Sequence, residues 1–265
     1  MIIDSNVHLS RWPFRRLPGD ETPDLVARLR KQNVVQAWAG SFDGVLHKDI
    51  GGVNARLAAE CDAHGKGLLV PFGSINPKLP DWQEDVRRCA KDYRMSGIRL
   101  HPNYHGYGLA DPVFAELVHV AAANGLIVQL VVSMEDVRTQ HPLMPVPPVD
   151  LSPLAQVVKS VPSMRLVLLN WWPALRGERI RPLADAGEVY FDLAMLEGIE
   201  GVARLVEQLP PNRILFGSNF PLFYFEAAVL KVQESGLSEG RETMLFEGNA
   251  RRILPPRGLR RANPA

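Results

Sequence analysis

The side chains best suited to chemistry gather in four short polar stretches, which cover residues 4–8, 99–107, 170–172 and 217–221. Three histidines in these stretches, His8, His101 and His105, can accept and donate protons near neutral pH, and we predict that they are the catalytic residues. Arginine pairs with planar anions and amides hydrogen-bond to polar ligands, so eight residues in or just beyond the stretches are predicted to bind substrate. They are Asn6, Arg11, Trp12, Arg99, Tyr104, Asn170, Trp171 and Asn219.

Each of these residues also has a purely structural interpretation. The asparagines can fill a polar interior with hydrogen bonds, and His8 can be a satisfied buried histidine. The arginines of residues 11–16 can pair with acidic neighbours in a loop. Trp171 can pack against a second subunit, since aromatic residues are favoured at interfaces. The sequence leaves both interpretations open.

Eight short apolar runs alternate with segments of helical spacing along the chain. The runs cover residues 2–4, 34–39, 67–72, 97–101, 126–132, 165–170, 189–193 and 213–217. Most are apolar at consecutive positions, as expected for strands covered on both faces, so a parallel sheet is predicted. We predict an α/β fold, a single (β/α)8 TIM barrel over residues 1–254. An open doubly wound sheet is the alternative, although no Gly-x-Gly-x-x-Gly follows the first run.

In such a barrel the active-site mouth lies at the C-terminal ends of the strands, where the four polar stretches fall. The Pro-rich residues 139–153 are predicted to form an ordered loop over one face of the barrel. The tail, residues 255–265, is basic and rich in proline and is expected to be frayed.

Composition excludes several classes of protein. The 265 residues are 46% hydrophobic and 22% charged, which is ordinary globular usage. Thirty basic and 29 acidic residues give a net charge of +1, so neither nucleic acid nor a membrane is an expected partner. Two cysteines exclude a disulfide framework and favour a reducing, cytoplasmic compartment. No apolar run approaches the roughly 20 residues that span a bilayer, so the expected partners are a small molecule and, in a homo-oligomer, further copies of the chain.

Four motifs of the chain resemble those of the amidohydrolase superfamily, in the branch of metal-dependent hydrolases and decarboxylases related to aminocarboxymuconate-semialdehyde decarboxylase. They are IDSNVH at 3–8, GIRLHPNYHGY at 97–107, RILFGSNFP at 213–221 and GNARRIL at 248–254. The motifs occur in the family's order and reach from the first strand to the last helix. The resemblance implies a TIM barrel with a divalent metal at its mouth.

Most of the metal ligands that this resemblance implies are replaced. Asn6 stands at the first histidine of the family's Asp-x-His-x-His pattern, and only His8 remains of that pair. Val131 falls nearest the fifth-strand histidine, Asn170 replaces the sixth-strand histidine, and Asn219 replaces the eighth-strand aspartate. A neutral amide is a poorer ligand for zinc than these groups, and it cannot act as a general base. The sequence therefore predicts no cofactor, with zinc or another divalent metal, bound by His8, as the alternative.

Three functions are compatible with this sequence. The first is a divergent hydrolase that acts on a small carboxylated or cyclic substrate without the usual catalytic metal. The second is a non-catalytic ligand-binding or regulatory protein on the same fold. The third is a metal-dependent hydrolase or decarboxylase with an unorthodox site.

Overall fold

The computed structural model of the protein describes residues 1–254, and within them eight parallel strands lie in chain order in one sheet. The predicted frayed tail at 255–265 lies outside the described residues. The strands are β1 (Ile2–Leu9), β2 (Val34–Ser41), β3 (Leu69–Ser74), β4 (Gly97–Leu100), β5 (Ile127–Val131), β6 (Arg165–Leu169), β7 (Glu188–Asp192) and β8 (Ile214–Leu215).

Helices connect successive strands and follow the last one. They are α1 (Thr22–Lys31), α2 (Asp43–Leu46), α3 (Ile50–Gly65), α4 (Trp82–Lys91), α5 (Pro102–His105), α6 (Pro112–Ala123), α7 (Leu154–Ser160), α8 (Ile180–Ala184), α9 (Gly201–Gln208), α10 (Phe225–Gln233), α11 (Glu239–Thr243) and α12 (Asn249–Ile253). Within residues 1–254, no helix has the length and apolar character needed to cross a membrane.

Backbone contacts between β1 and the chain around β8 bring the sheet to a nearly closed barrel. Ser5 N donates to Phe216 O at 2.9 Å, and His8 N donates to Phe220 O at 2.9 Å. Val7 also forms a parallel bridge with Phe220. The predicted (β/α)8 TIM barrel is confirmed, and the open doubly wound sheet is wrong.

The strands are apolar on both faces because each face meets a different part of the core. Inside the barrel, side chains such as Ile3, Phe72 and Val131 pack against one another. On the outside, side chains such as Ile98 and Leu130 pack in the larger cluster that includes the helices. This double burial explains why the sequence showed apolar runs without alternation.

Strand β1 is longer than the predicted run of residues 2–4 and continues to Leu9. Its pairing with β2 shifts register between Asp4 and Val7. Asn6 and His8 are therefore part of the strand and fully buried, rather than following it. The apolar run stops at these polar side chains although the strand continues. The strand end predicted from the apolar run was therefore too early.

The connection from β5 to α7, residues 132–153, covers this end of the barrel, and we call it the cover loop. Asn170, directly after β6, donates from Nδ2 to the carbonyl oxygen of Ser133 at 2.8 Å. Asn103 in α5 donates from Nδ2 to the carbonyl oxygen of Pro147. The cover loop is thus held near the C-terminal ends of β4 and β6 by two amide side chains, and the second contact involves its Pro-rich part.

Gly40 in β2 provides a test of the packing inside the barrel. A Cβ at this position would lie 2.7 Å from both Cδ and Nη1 of Arg99. We therefore expect Gly40→Ala to lower the free energy of unfolding by about 1–3 kcal/mol, the usual cost of overpacking a closed core. Urea unfolding followed by circular dichroism measures this change.

The matched control is Gly240→Ala in α11, where a Cβ would meet nothing within 4 Å. Alanine is a better helix former than glycine, so this variant should be as stable as the wild type or slightly more stable. An equal loss of stability in both variants would contradict the tight packing assigned to Gly40.

Candidate functional site

The guanidinium of Arg99 occupies the interior of the barrel. Arg99 is fully buried, and Nε donates to Oε1 of Gln129 at 2.8 Å. Nη1 donates to the carbonyl oxygen of Val7 at 2.9 Å, and Nη2 donates to that of Trp38 at 2.9 Å. Two carbonyl oxygens, on β1 and β2, and one side-chain amide, on β5, therefore fix the orientation of this cation.

The charge of Arg99 is balanced only at a distance. No carboxylate of residues 1–254 lies within ion-pair distance of its guanidinium. Burial lowers the pKa of Arg99 to about 9, while the charges of Asp4 and Asp192 act in the opposite direction. The side chain is still protonated at neutral pH, so a fixed positive charge lies beneath the mouth of the barrel.

His8 lies between Arg99 and an aromatic ring. Nη1 of Arg99 is 3.2 Å from Nδ1 and 3.3 Å from Nε2 of His8. One atom cannot lie on the in-plane axes of both ring nitrogens, so it lies over the ring. The Phe42 ring is parallel to the imidazole at 4.6 Å between centroids.

The environment of His8 keeps its imidazole neutral. Burial, followed by the charges of Arg99 and His101, places its pKa well below the ordinary 6.5. Nε2 is 3.1 Å from Oδ1 of Asn219, whose own Nδ2 donates to the carbonyl oxygen of Met134 at 3.0 Å. The amide thus presents its oxygen to His8, so Nε2 carries the proton and donates it.

Asn6, Asn170 and Asp192 form a hydrogen-bond network beside His8, in which Oδ1 of Asn6 has no partner among the described residues. Nδ2 of Asn6 donates to Oδ1 of Asn170 at 2.9 Å and to Oδ2 of Asp192 at 2.8 Å. The backbone N of Asn170 donates to Oδ1 of Asp192 at 2.9 Å. Burial nevertheless raises the pKa of Asp192 from 3.8 to about 7, because desolvation outweighs these bonds.

A second buried carboxyl, Asp4 on β1, accepts hydrogen bonds from both β1 and the chain after β8. It accepts hydrogen bonds from the backbone N of Asn6 at 2.9 Å and from the backbone N and the hydroxyl of Ser218. Burial raises its pKa to about 6, against the lowering effect of these bonds and of the charge of Arg99. Asp4 therefore ties β1 to the chain after β8.

His101, directly after β4, lies next to a small cavity under the cover loop. Its side chain is 1% exposed, and neither ring nitrogen has a hydrogen-bond partner among the described residues. Burial, then the charges of His105 and Arg99, place its pKa well below 6.5. Tyr104, Met134 and Pro147 also line the cavity, whose volume of about 10 Å³ holds about one water molecule, so a larger ligand enters only when the cover loop moves. His101 is thus a neutral imidazole with a free N–H and a free lone pair.

His105 lies behind His101 rather than at the cavity. Nε2 of His105 is 2.9 Å from the carbonyl oxygen of Gly44, to which it donates, and burial lowers its pKa. Tyr104 is half-buried, and burial together with the charge of Glu135 raises its pKa. Of the predicted proton-transfer residues, His101 alone lies among the residues that line this cavity.

The structure brings together Asn6, His8, Arg99, Asn170 and Asn219, all fully buried. Of the other four predicted binding residues, Tyr104 lines the cavity beside His101 and the remaining three lie elsewhere. Arg11 is exposed and pairs with Glu21. Trp12 packs edge-on against Phe42 at 5.2 Å, behind His8.

Trp171 packs in the outer part of the core. Its ring is 5.4 Å from that of Phe191, and Nε1 donates to the carbonyl oxygen of Asp192 at 2.7 Å. It is 1% exposed, so neither a ligand nor a second subunit reaches it without rearrangement. Asp192, which organises both Trp171 and the asparagines, was missed in the sequence, although a lone acid at the end of a predicted apolar strand was a usable signal.

Solved structures with the same fold include decarboxylases of small carboxylated aromatic compounds and a putative amidohydrolase of Staphylococcus aureus. The 5-carboxyvanillate decarboxylase of Sphingomonas paucimobilis has a TM-score of 0.72 and 13% identity, over 95% of this chain and 98% of that one. A dihydroxybenzoic acid decarboxylase of a Polaromonas species, with manganese and 2-nitroresorcinol, has a TM-score of 0.71 and 13% identity over 98% of each chain. The 5-carboxyvanillate decarboxylase of Novosphingobium aromaticivorans, with manganese and 4-hydroxy-3-methoxy-5-nitrobenzoic acid, has a TM-score of 0.68 and 11% identity, over 96% and 95%.

The prediction of no cofactor was wrong, because similar proteins with this fold contain manganese. The residues of this chain do not themselves match such an ion. Within residues 1–254, no three His, Cys, Asp or Glu side chains come together in a way that could hold a metal. The charge of Arg99 beside His8, the one ligand position that the sequence retains, opposes a further cation there.

Asp192 is expected to make stability depend on pH. Its pKa is raised to about 7 in the folded protein, so the folded state holds this proton more tightly than the unfolded chain does. The stabilisation from this group is fully present below pH 4 and is lost as pH rises towards 7. The wild type should therefore lose about 2–4 kcal/mol relative to Asp192→Asn between pH 4 and pH 8, measured by urea unfolding across that range.

Asp185→Asn is the control for this experiment, because Asp185 is exposed just after α8 and pairs only with Arg181 at the surface. Its stability should follow the wild type at every pH. Parallel curves for the wild type and Asp192→Asn would show that Asp192 does not titrate in this range.

The family of the chain follows from its sequence as well as its fold. No curated protein matches the sequence. A sequence model of the amidohydrolase family, however, matches residues 3–255, which is almost the entire barrel. The chain belongs to the amidohydrolase family.

Proposed function

We propose that the protein is an enzyme that cleaves a small carboxylated compound by hydrolysis, with His101 as the proton-transfer group. The observation that carries this proposal is the state of His101, which is buried beside the cavity with both ring nitrogens unpartnered among the described residues. A buried polar atom without a partner costs about 1–3 kcal/mol, so a fold keeps one where a ligand completes it.

The chemistry available to His101 is general base catalysis. Its depressed pKa keeps the imidazole neutral at pH 7, and a neutral imidazole accepts a proton from water through its lone pair. The same ring then returns that proton to the leaving group. The hydroxyl of Tyr104, at the same cavity, stays protonated because its pKa is raised, so it can donate a hydrogen bond to the substrate.

A carboxylated substrate is supported by the charge of the barrel interior. Arg99 supplies a fixed positive charge in a medium of low dielectric constant, and no carboxylate of residues 1–254 neutralises it directly. The similar decarboxylases act, by their names, on carboxylated aromatic compounds. Loss of carbon dioxide is therefore the competing reaction class at the same cavity.

A second function, ligand binding without catalysis, is favoured by the hydrogen-bond network next to His101. Asn6, Asn170 and Asp192 bond to one another, and Asn170 and Asn219 donate to the cover loop. None of these side chains is exposed by more than 1%, and Oδ1 of Asn6 is the one oxygen or nitrogen atom among them without a partner in residues 1–254. Side chains that mostly pair with one another bind and orient a ligand rather than react with it. Under this alternative a ligand binds under the cover loop and is released unchanged.

The test of the proposed function is turnover of lactones and of carboxylated aromatic compounds such as dihydroxybenzoates. Acid release detects hydrolysis, and bicarbonate formation detects decarboxylation. His101→Gln should lower kcat by about 10²–10⁴-fold, since it removes the general base. Binding measured by calorimetry should persist, because glutamine keeps a donor and an acceptor at this position.

His119→Gln provides the control, because His119 is exposed on α6, remote in sequence from the cavity residues. This variant should have wild-type rates. Wild-type rates in His101→Gln would overturn the proposed role of His101. Saturable binding of a compound with no product from the wild type would instead establish the second function.

A further inference from the structure

Four buried polar side chains form a cluster where β3 and β4 end, and we call them the β3–β4 cluster: Ser74, His101, His105 and Tyr107. All are at most 9% exposed. Five of their atoms have no hydrogen-bond partner among residues 1–254, namely Ser74 Oγ, both nitrogens of His101, Nδ1 of His105 and the Tyr107 hydroxyl. Such a concentration of unsatisfied atoms is costly, because protein interiors normally pair almost every buried polar group.

The orientation of His105 fixes which of its nitrogens is free. Nε2 donates its proton to the carbonyl oxygen of Gly44 at 2.9 Å. Nδ1 is therefore a lone pair, without a donor among the described side chains. Gly44 itself lies against Ser74, since a Cβ on Gly44 would be 1.8 Å from Ser74 Oγ. Helix α2 and the end of β3 thus hold His105 in one tautomer.

The rings of His101 and His105 meet edge to face, with centroids 5.8 Å apart and planes at 72°. No direct hydrogen bond joins their nitrogen atoms, since those of His101 and Nδ1 of His105 are unpartnered among residues 1–254. A single water molecule beside the two rings would pair these atoms, as buried waters commonly do for polar groups. The Tyr107 ring, 6.5 Å from that of His105, brings a hydroxyl donor to the same region.

We propose that His105 is a positioning residue that exchanges a proton with His101 through one buried water molecule. This inference rests on the proposed function of His101. When the lone-pair nitrogen of His101 takes a proton from the hydrolytic water, its opposite N–H proton passes to the bridging water. That water gives one of its own protons to Nδ1 of His105. His101 becomes neutral again in its other tautomer, and the reverse transfers return the proton to the leaving group, so no proton is gained or lost.

Charges around the pair favour this shared proton over a cation localised on His101. Burial, then the charges of His105 and Arg99, place the pKa of His101 well below its ordinary value, and burial followed by Arg99 does the same for His8. Burial also lowers the pKa of His105, but Arg99 does not contribute there, and backbone hydrogen bonds to Gly44 and Ile75 favour the protonated ring. The proton is therefore more stable one residue further from the Arg99 charge.

His105→Gln tests this relay, because glutamine can still donate to Gly44 and accept at the former Nδ1 position but cannot gain a proton. We expect kcat to fall by about 10–100-fold with KM unchanged, and the acidic limb of the kcat–pH profile to move. His47→Gln, an exposed histidine after α2, is the control and should leave both parameters at wild-type values.

A measurement without substrate separates the relay from the enzymatic function. Imidazole ¹⁵N NMR of the full chain should show His101 averaged between its two tautomers in the wild type and locked in one in His105→Gln. Averaging that is the same in both proteins overturns the relay. Loss of averaging in the variant, with no substrate turned over by the wild type, supports the relay and overturns the proposed enzymatic function.

Discussion

The structure of the barrel interior depends on one buried cation. The guanidinium of Arg99 donates hydrogen bonds to carbonyl oxygens of β1 and β2 and to the amide oxygen of Gln129. Gly40, which has no side chain, leaves the space that the guanidinium fills. A buried charge without its partner would be strongly destabilising, so these oxygens and the more distant carboxyls of Asp4 and Asp192 must remain in place. Burial is the main cause that lowers the pKa values of His8 and His101, and the charge of Arg99 lowers both further.

Two carboxyls near neutrality give the site an unusual electrostatic character. Asp4 and Asp192 have pKa values raised to about 6 and about 7, while the nearby histidines have lowered ones. The two carboxyls therefore take up protons as pH falls through about 7 to 6, whereas the imidazoles of His8 and His101 stay neutral in that range. The net positive charge around Arg99 thus rises as pH falls, because the two carboxyls lose the charge that offsets it.

The fold was readable in the sequence because burial on both faces of the strands leaves eight apolar runs, each of which corresponds to a strand. The polar part of β1 was not readable, because a register shift places Asn6 and His8 inside the strand where the apolar pattern stops. The asparagines and Arg99 lie together as strand ends predict. Arg11 and Trp171 are close in sequence to site residues, but their side chains point away from the barrel interior. Closeness in sequence does not determine the direction of a side chain. Asp192 was missed because its hydrogen bonds join residues far apart in the chain.

The barrel closes where β1 meets the chain after β8, and we call this line of backbone contacts the seam. The backbone of Ser5 and His8 forms it, while the side chain of His8 and that of Asn6 between them belong to the candidate site. The four consecutive residues 5–8 thus serve both the closure of the barrel and the candidate site. A substitution at this seam therefore changes the stability of the closed barrel as well as the chemistry of the site. This double role limits which substitutions the site can accept while the fold is kept.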